Sequence, residues 1–150
     1  MPETSPSIYE RMQQLNCCVI IPTYNNDKTL TRVIQGVLGL TADLIVVNDG
    51  ATDNTAKLLK DFPQVRQIHL PHNKGKGSAL KVGFKNALKL NYAYAITIDS
   101  DGQHFPEDIT VFLDALEKEH TKNVLYIGAR NMDQSDVPGK SSFGNKFSNF

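Results

Sequence analysis

Two cysteines are all that the 150 residues contain, and they are neighbours, Cys17 and Cys18, inside an apolar run. Adjacent thiols in such a run make neither a disulfide framework nor a metal-ligand spacing, so a reducing, cytoplasmic compartment is expected. Net charge is absent too: 16 basic residues balance 16 acidic ones. Without a positive excess there is no electrostatic footprint for nucleic acid or an anionic membrane, and nucleic acid is not expected as a partner. No stretch approaches the ~20 apolar residues of a membrane-spanning helix, and Met1 to Asn16 lacks the apolar centre of a signal peptide. Internal repeats and low-complexity segments are missing. Apolar residues at 40% and charged ones at 21% match ordinary globular usage, which excludes collagen-like, disordered and coiled-coil chains. The length suits one domain.

What is present is an alternation of two periods. Short apolar runs occur at Cys17–Ile21, Leu44–Val47, Tyr94–Ile98 and Val124–Ile127, with a weaker one at Arg66–Leu70. They are rich in β-branched residues and mostly continuous, as in strands covered on both faces. Between them, Leu30, Val33, Ile34, Val37 and Leu38 mark one face of a helix. Leu80, Phe84, Ala87 and Leu88 repeat that face, as do Ile109, Phe112, Leu113 and Leu116. Pro106 suits a first helical turn, with Glu107 and Asp108 near the positive end of the dipole. A shorter helix is expected within Asp53–Phe62. The pattern predicts an α/β fold, a mostly parallel sheet with helices on both faces. Residues 1–16 read as a leader with a short helix at Ile8–Leu15, residues 17–131 as the α/β domain, and residues 132–150 as a loop-like tail.

Each apolar run leads into a polar cluster: Pro22-Thr23-Tyr24-Asn25-Asn26, Asn48-Asp49-Gly50, Pro71-His72-Asn73, Asp99-Ser100-Asp101-Gly102-Gln103-His104 and Gly128-Ala129-Arg130. Open α/β sheets bind ligands outside the carboxyl ends of their strands, so the clusters point to one composite site. Asp99 and Asp101, one residue apart at the end of a strand, can share a hard divalent cation such as Mg²⁺ or Mn²⁺. The competing reading is a turn or a helix cap, because Asp-Gly favours turns and Asp caps helices. Asn73-Lys74-Gly75-Lys76-Gly77-Ser78 opens a helix, where free amides attract phosphate, and Lys76 is the candidate contact. This segment is neither a Walker loop nor a dinucleotide fingerprint. Asp49 is a candidate acceptor for a base or ribose, or else part of a helix-entering turn. Arg130 suits bidentate phosphate contact, Tyr24 suits base stacking or plain packing, and His104 is a further candidate for a phosphate or metal-bound group.

Together these pieces resemble the family-2 glycosyltransferases of the GT-A fold, the Rossmann-like nucleotide-diphospho-sugar transferases. The resemblance is to the branch containing dolichyl-phosphate mannosyltransferases. It is carried by Val19–Asn25, Ile45–Asp53, Asn73–Gly77 and Asp99–Pro106, in family order. Three departures stand out: Asn48 where the family often has an acid, Ala51 where it has serine, and Asn26 where it commonly has Glu.

The resemblance implies inverting transfer of a hexose from a nucleoside diphosphate sugar, such as GDP-mannose or a UDP-hexose, to an acceptor such as a polyprenyl phosphate. It implies Mg²⁺ or Mn²⁺ on Asp99 and Asp101. Pro22, Thr23, Tyr24, Asn26, Asp49, Lys76, Asp99 and Arg130 would line the donor site. The family's catalytic base is expected beyond Phe150, so the chain reads as the donor-binding front of a longer enzyme working at the cytoplasmic face of a membrane. Two rivals remain at this point. One is a haloacid-dehalogenase-type phosphatase, which also uses Asp-x-Asp after a strand; the other is a non-catalytic nucleotide-sugar-binding module.

Overall fold

A computed structural model describes residues 4–119, together with Leu125 and Tyr126. The elements in order are α1 (Ile8–Leu15), β1 (Cys17–Thr23), α2 (Asp27–Leu38), β2 (Leu44–Asn48), α3 (Thr55–Leu59), β3 (Arg66–His69), α4 (Lys76–Lys89) and β4 (Tyr94–Thr97). A 3-10 turn at Pro106–Asp108 then leads into α5 (Ile109–Lys118). The four strands form one parallel sheet in the order β3-β2-β1-β4. The fifth expected strand, Val124–Ile127, falls largely outside the described residues.

Every residue of β1 and β2 is buried. Ile20 lies opposite Ile45 in the register, so Cys18, Ile20, Ile45 and Val47 share one face. That face packs against α4 through Ala79 and Ala87. The edge strands β3 and β4 are only partly covered, which accounts for the weaker apolar signal of Arg66–Leu70. Cys17 and Cys18 are free and fully buried, and burial pushes both thiols up to about 12. They are inert core residues.

The helix expected near Ile8 starts with a reciprocal cap. Ser7 Oγ accepts the Glu10 amide at 3.2 Å, and Glu10 Oε2 accepts the Ser7 amide at 2.7 Å. Met12 is fully buried, α1 packs on β1 and α5, and Arg11 bridges to Asp114 and Glu117 on α5. This segment is therefore built onto the same body as the sheet.

One expectation about a buried face is corrected. Of the expected face Leu80, Phe84, Ala87 and Leu88, Ala87 is buried and Leu80 packs partly buried on the core, but Phe84 is 44% and Leu88 74% exposed. The buried stripe of α4 is Ala79, Gly83 and Ala87. Close approach explains the rotation: a Cβ on Gly83 would stand 2.6 Å from Ile20 Cγ2. Only small residues let the helix lie this near β1.

Gly83→Val should therefore destabilise the fold by about 1–3 kcal/mol, the usual range for overpacking. Leu88→Ala, on the exposed side, should stay within about 0.5 kcal/mol of wild type. Urea denaturation of the two variants measures both, and a larger loss from Leu88→Ala would reverse the assignment of faces.

Candidate active site

Because all four strands run parallel, the loops after Thr23, Asn48, His69 and Thr97 lie on one edge of the sheet. Asp49 is 2% exposed, and both its oxygens are engaged. Oδ1 accepts the backbone amide of Lys74 at 2.9 Å and Oδ2 that of Gly75 at 2.8 Å. Its own amide donates to the Thr23 carbonyl at 2.9 Å. Gly50 follows at φ +67°, and a Cβ there would collide with the His72–Asn73 backbone. The β2 loop and the Asn73–Lys76 loop are thus locked together by a carboxylate and a glycine contact.

That lock presents Lys76. Its ammonium lies 2.6 Å from Asp99 Oδ1, and the His104 ring lies 3.7 Å from Asp99 Oδ2. His104 and Lys76 hold the Asp99 carboxyl down to about 2, outweighing the half-burial that would raise it. Asp101 is exposed, and its Oδ1 accepts the Gln103 amide at 3.0 Å.

The opposite side of this loop is gripped by the start of α2. Asn26 Nδ2 donates to Ser100 Oγ at 2.7 Å, and Thr29 Oγ1 donates to the Ser100 carbonyl at 2.6 Å. Ser100 is buried. Gly102, at φ +75°, lies against the Arg32 guanidinium so closely that a Cβ would collide with it. Asn26, expected in the donor site, is thus committed to Ser100. Thr29 and Arg32 went unnoticed in the sequence; their only signal was the spacing of Asn26, Thr29 and Arg32 on one helix face.

A second cross-tie joins the β1 and β2 loops. Asn25, at φ 50°, accepts the Thr52 amide on Oδ1 at 2.8 Å, and Asp53 accepts the amides of Asp27 and Thr55 at 3.1 and 2.9 Å. Burial opposes ionisation of Asp53, but the Thr55 side chain together with the Thr55 and Asp27 amides holds its carboxyl below the usual range. The departure at Asn48 also has a physical reason. Its Oδ1 accepts the Ala51 amide at 2.9 Å while Nδ2 faces His69 Nδ1 at 3.2 Å. An Asp could serve Ala51 and would pair with the ring only where His69 Nδ1 carries a proton.

Of the other candidates, Tyr24 is 42% exposed on this edge. Thr23 is buried, and its Oγ1 has no hydrogen-bond partner among the described residues. Pro22 is a buried residue of β1 paired with Val47. Arg130 and the tail at 132–150 lie outside the described residues.

Whether this donor set suits a divalent cation is a question of charge and number. Asp99 is ionised and already faces a cation, and Asp101 adds a second hard oxygen donor one residue away. Among the described residues no group of three or more His, Cys, Asp or Glu converges as a complete cage. Two carboxylates that leave most of the coordination sphere open fit Mg²⁺ or Mn²⁺, which fill it with water and substrate phosphate.

Against known proteins, residues 18–148 match the description Glycosyl transferase family 2. The chain belongs to that family. It is 30% identical over 145 residues to the UDP-N-acetylglucosamine–dolichyl-phosphate N-acetylglucosaminyltransferase of Methanococcus voltae, covering 85% of this chain and 58% of that one. It is 34% identical over 106 residues to the polyprenol monophosphomannose synthase of Mycolicibacterium smegmatis, covering 66% and 40% respectively. These matches favour the dolichyl-phosphate type of the family. The chain spans about half the length of the curated relatives it matches. Among solved structures, glucosyl-3-phosphoglycerate synthase from Mycobacterium tuberculosis, in complex with UDP, superimposes with a TM-score of 0.57 at 21% identity, covering 78% of this chain and 47% of that one. The same synthase was also crystallised with Mn²⁺ and UDP. The likeness establishes the GT-A fold. Family membership displaces the phosphatase reading. Among the described residues no helix is long and apolar enough to cross a membrane.

Two outcomes follow for this family-2 domain. Asp49→Ala should cost roughly 1–3 kcal/mol, because it removes the acceptor of two part-buried amides, and should speed hydrogen exchange most at Lys74, since Asn73 Oδ1 still accepts the Gly75 amide at 3.1 Å. Unchanged exchange at both would show that Asp49 does not hold the loop. The lowered carboxyl of Asp99 means that its ion pair stabilises the fold above the unfolded value near 4. That contribution is lost as pH falls through about 2. The ¹³C shift of the Asp99 carboxyl should accordingly titrate near 2, and a midpoint at the ordinary carboxylate value would refute the pairing.

Proposed function

We propose that this domain binds a nucleoside diphosphate sugar and positions it for inverting transfer of the hexose to a polyprenyl phosphate. The observation that carries this reading is the Lys76–Asp99 pair, 2.6 Å apart at the carboxyl edge of a parallel sheet, with Asp101 one residue further on. An ionised carboxylate and an ammonium side by side provide both charges that a metal-bound diphosphate requires.

In this reading Asp99 and Asp101 hold Mg²⁺ or Mn²⁺, and Lys76 contacts the phosphates, with Arg130 and His104 as further candidates. The divalent cation would neutralise charge on the diphosphate as it leaves. Tyr24, half exposed beside the site, stacks on the base, while Pro22 and Thr23 line the floor, where the Thr23 hydroxyl, without a partner among the described residues, can take one from the donor. Asp49 and Asn26, whose polar atoms are already engaged, shape the pocket from behind. No described carboxylate is assigned as a general base. A phosphate acceptor is already anionic and needs little deprotonation, so the lipid-phosphate acceptors named for the relatives fit that chemistry. The donor site is assigned to residues 17–131, and the work to the cytoplasmic face of a membrane.

Asp101→Ala is expected to weaken binding of UDP or GDP in Mn²⁺ by roughly 1–3 kcal/mol, the range for a charge-assisted contact, with little change in stability because Asp101 is exposed. Titration calorimetry with and without EDTA is the measurement. Equal affinity in the variant, or wild-type affinity indifferent to EDTA, would overturn the metal role.

A further inference from the structure

Resting on the donor-site reading above, we propose that Lys76 is a resident counter-ion of Asp99 that makes divalent-metal binding conditional on the nucleoside diphosphate. Its ammonium is 2.6 Å from Asp99 Oδ1, so that oxygen already has a cation. A divalent ion arriving alone must displace Lys76 from Asp99 and remain close to its positive charge. A diphosphate changes the balance, because it gives the ammonium a new anionic partner and frees the carboxylate. Lys76 then moves from Asp99 to phosphate oxygens, and each ligand strengthens the binding of the other.

Two further features make this exchange specific to Lys76. The Lys76 side chain is 59% exposed against 31% for Asp99, so the lysine is the mobile member and the carboxylate the fixed one. The backbone under Lys76 does not share that freedom. Asp49 pins the amides of Lys74 and Gly75, and the Lys76 stem rises from the first residue of α4. A fixed stem with a free tip can swing between two anions without disturbing the loop. The other side of the Asp-Ser-Asp loop is held by Asn26 and Thr29 on Ser100, so the carboxylate does not follow the lysine when it leaves. His104 lies 3.7 Å from the other oxygen, Oδ2, and stays in place in every variant compared.

The test compares Mn²⁺ binding to the 150-residue chain by electron paramagnetic resonance, alone and with saturating UDP, in wild type, Lys76→Met and Lys76→Arg. Lys76→Met should bind Mn²⁺ alone more tightly, by about fivefold, the factor equal to about 1 kcal/mol at the upper range for an exposed ion pair. The enhancement of Mn²⁺ affinity by UDP should shrink in the same variant, and by reciprocity so should the enhancement of UDP affinity by Mn²⁺. Lys76→Arg keeps the charge and should bind Mn²⁺ alone as weakly as wild type. If Lys76→Met leaves the affinity for Mn²⁺ alone unchanged while wild type binds Mn²⁺ with UDP, the counter-ion role is wrong and the donor site stands. If Lys76→Arg tightens Mn²⁺ binding as much as Lys76→Met, charge is not the cause and the proposal falls. If wild type binds Mn²⁺ neither alone nor with UDP, the donor-site reading fails and takes this inference with it.

Discussion

The carboxylate of Asp49 accepts two consecutive backbone amides, from Lys74 and Gly75, while almost wholly removed from solvent. A charge buried that deeply is tolerable only when both oxygens are fully hydrogen-bonded, which confines the loop as firmly as the acid. The consequence runs outward. With Lys74 and Gly75 pinned, α4 must begin at Lys76, and the Lys76 ammonium is delivered to Asp99 across the width of β1. Gly50 completes the contact, since only a residue without a Cβ lets the two loops meet.

The same closeness governs the body of the domain. Helix α4 lies on β1 and β2 through Ala79, Gly83 and Ala87 because Gly83 almost touches Ile20. How near that helix lies to the sheet also sets where its first turn stands, and so where Lys76 can reach. Core packing and site geometry are thus two ends of one rigid helix. On the far side, Asn26 and Thr29 hold Ser100 while Arg32 lies over Gly102. The Asp-Ser-Asp loop is held from two directions, by Lys76 on Asp99 and by Asn26 and Thr29 on Ser100.

Four of the five expected strands, their parallel arrangement and the edge where the polar clusters gather were legible in the chain, because continuous β-branched runs ending in polar clusters admit few other folds. That Asp99, Asp101 and Lys76 stand at this edge was legible for the same reason: each is placed by its position at a strand end or helix start. The role of Asp49 was not. Asp-Gly after a strand suits a ligand acceptor and a loop anchor equally, and the difference is which atoms lie within 3 Å. Nor does anything local say that the Asn26 amide turns to Ser100, 74 residues away.

By itself the sequence determined the elements, the family and the charged groups at the sheet edge, all of which follow from local pattern and residue chemistry. Only the tertiary structure decided which side of α4 is buried and which acid accepts the amides of a distant loop. It alone also paired Lys76 with Asp99. Each of these depends on how closely segments distant in the chain approach one another. Approach distance is set by the small residues between them, and a glycine such as Gly83 discloses that only once the opposing Ile20 is in view.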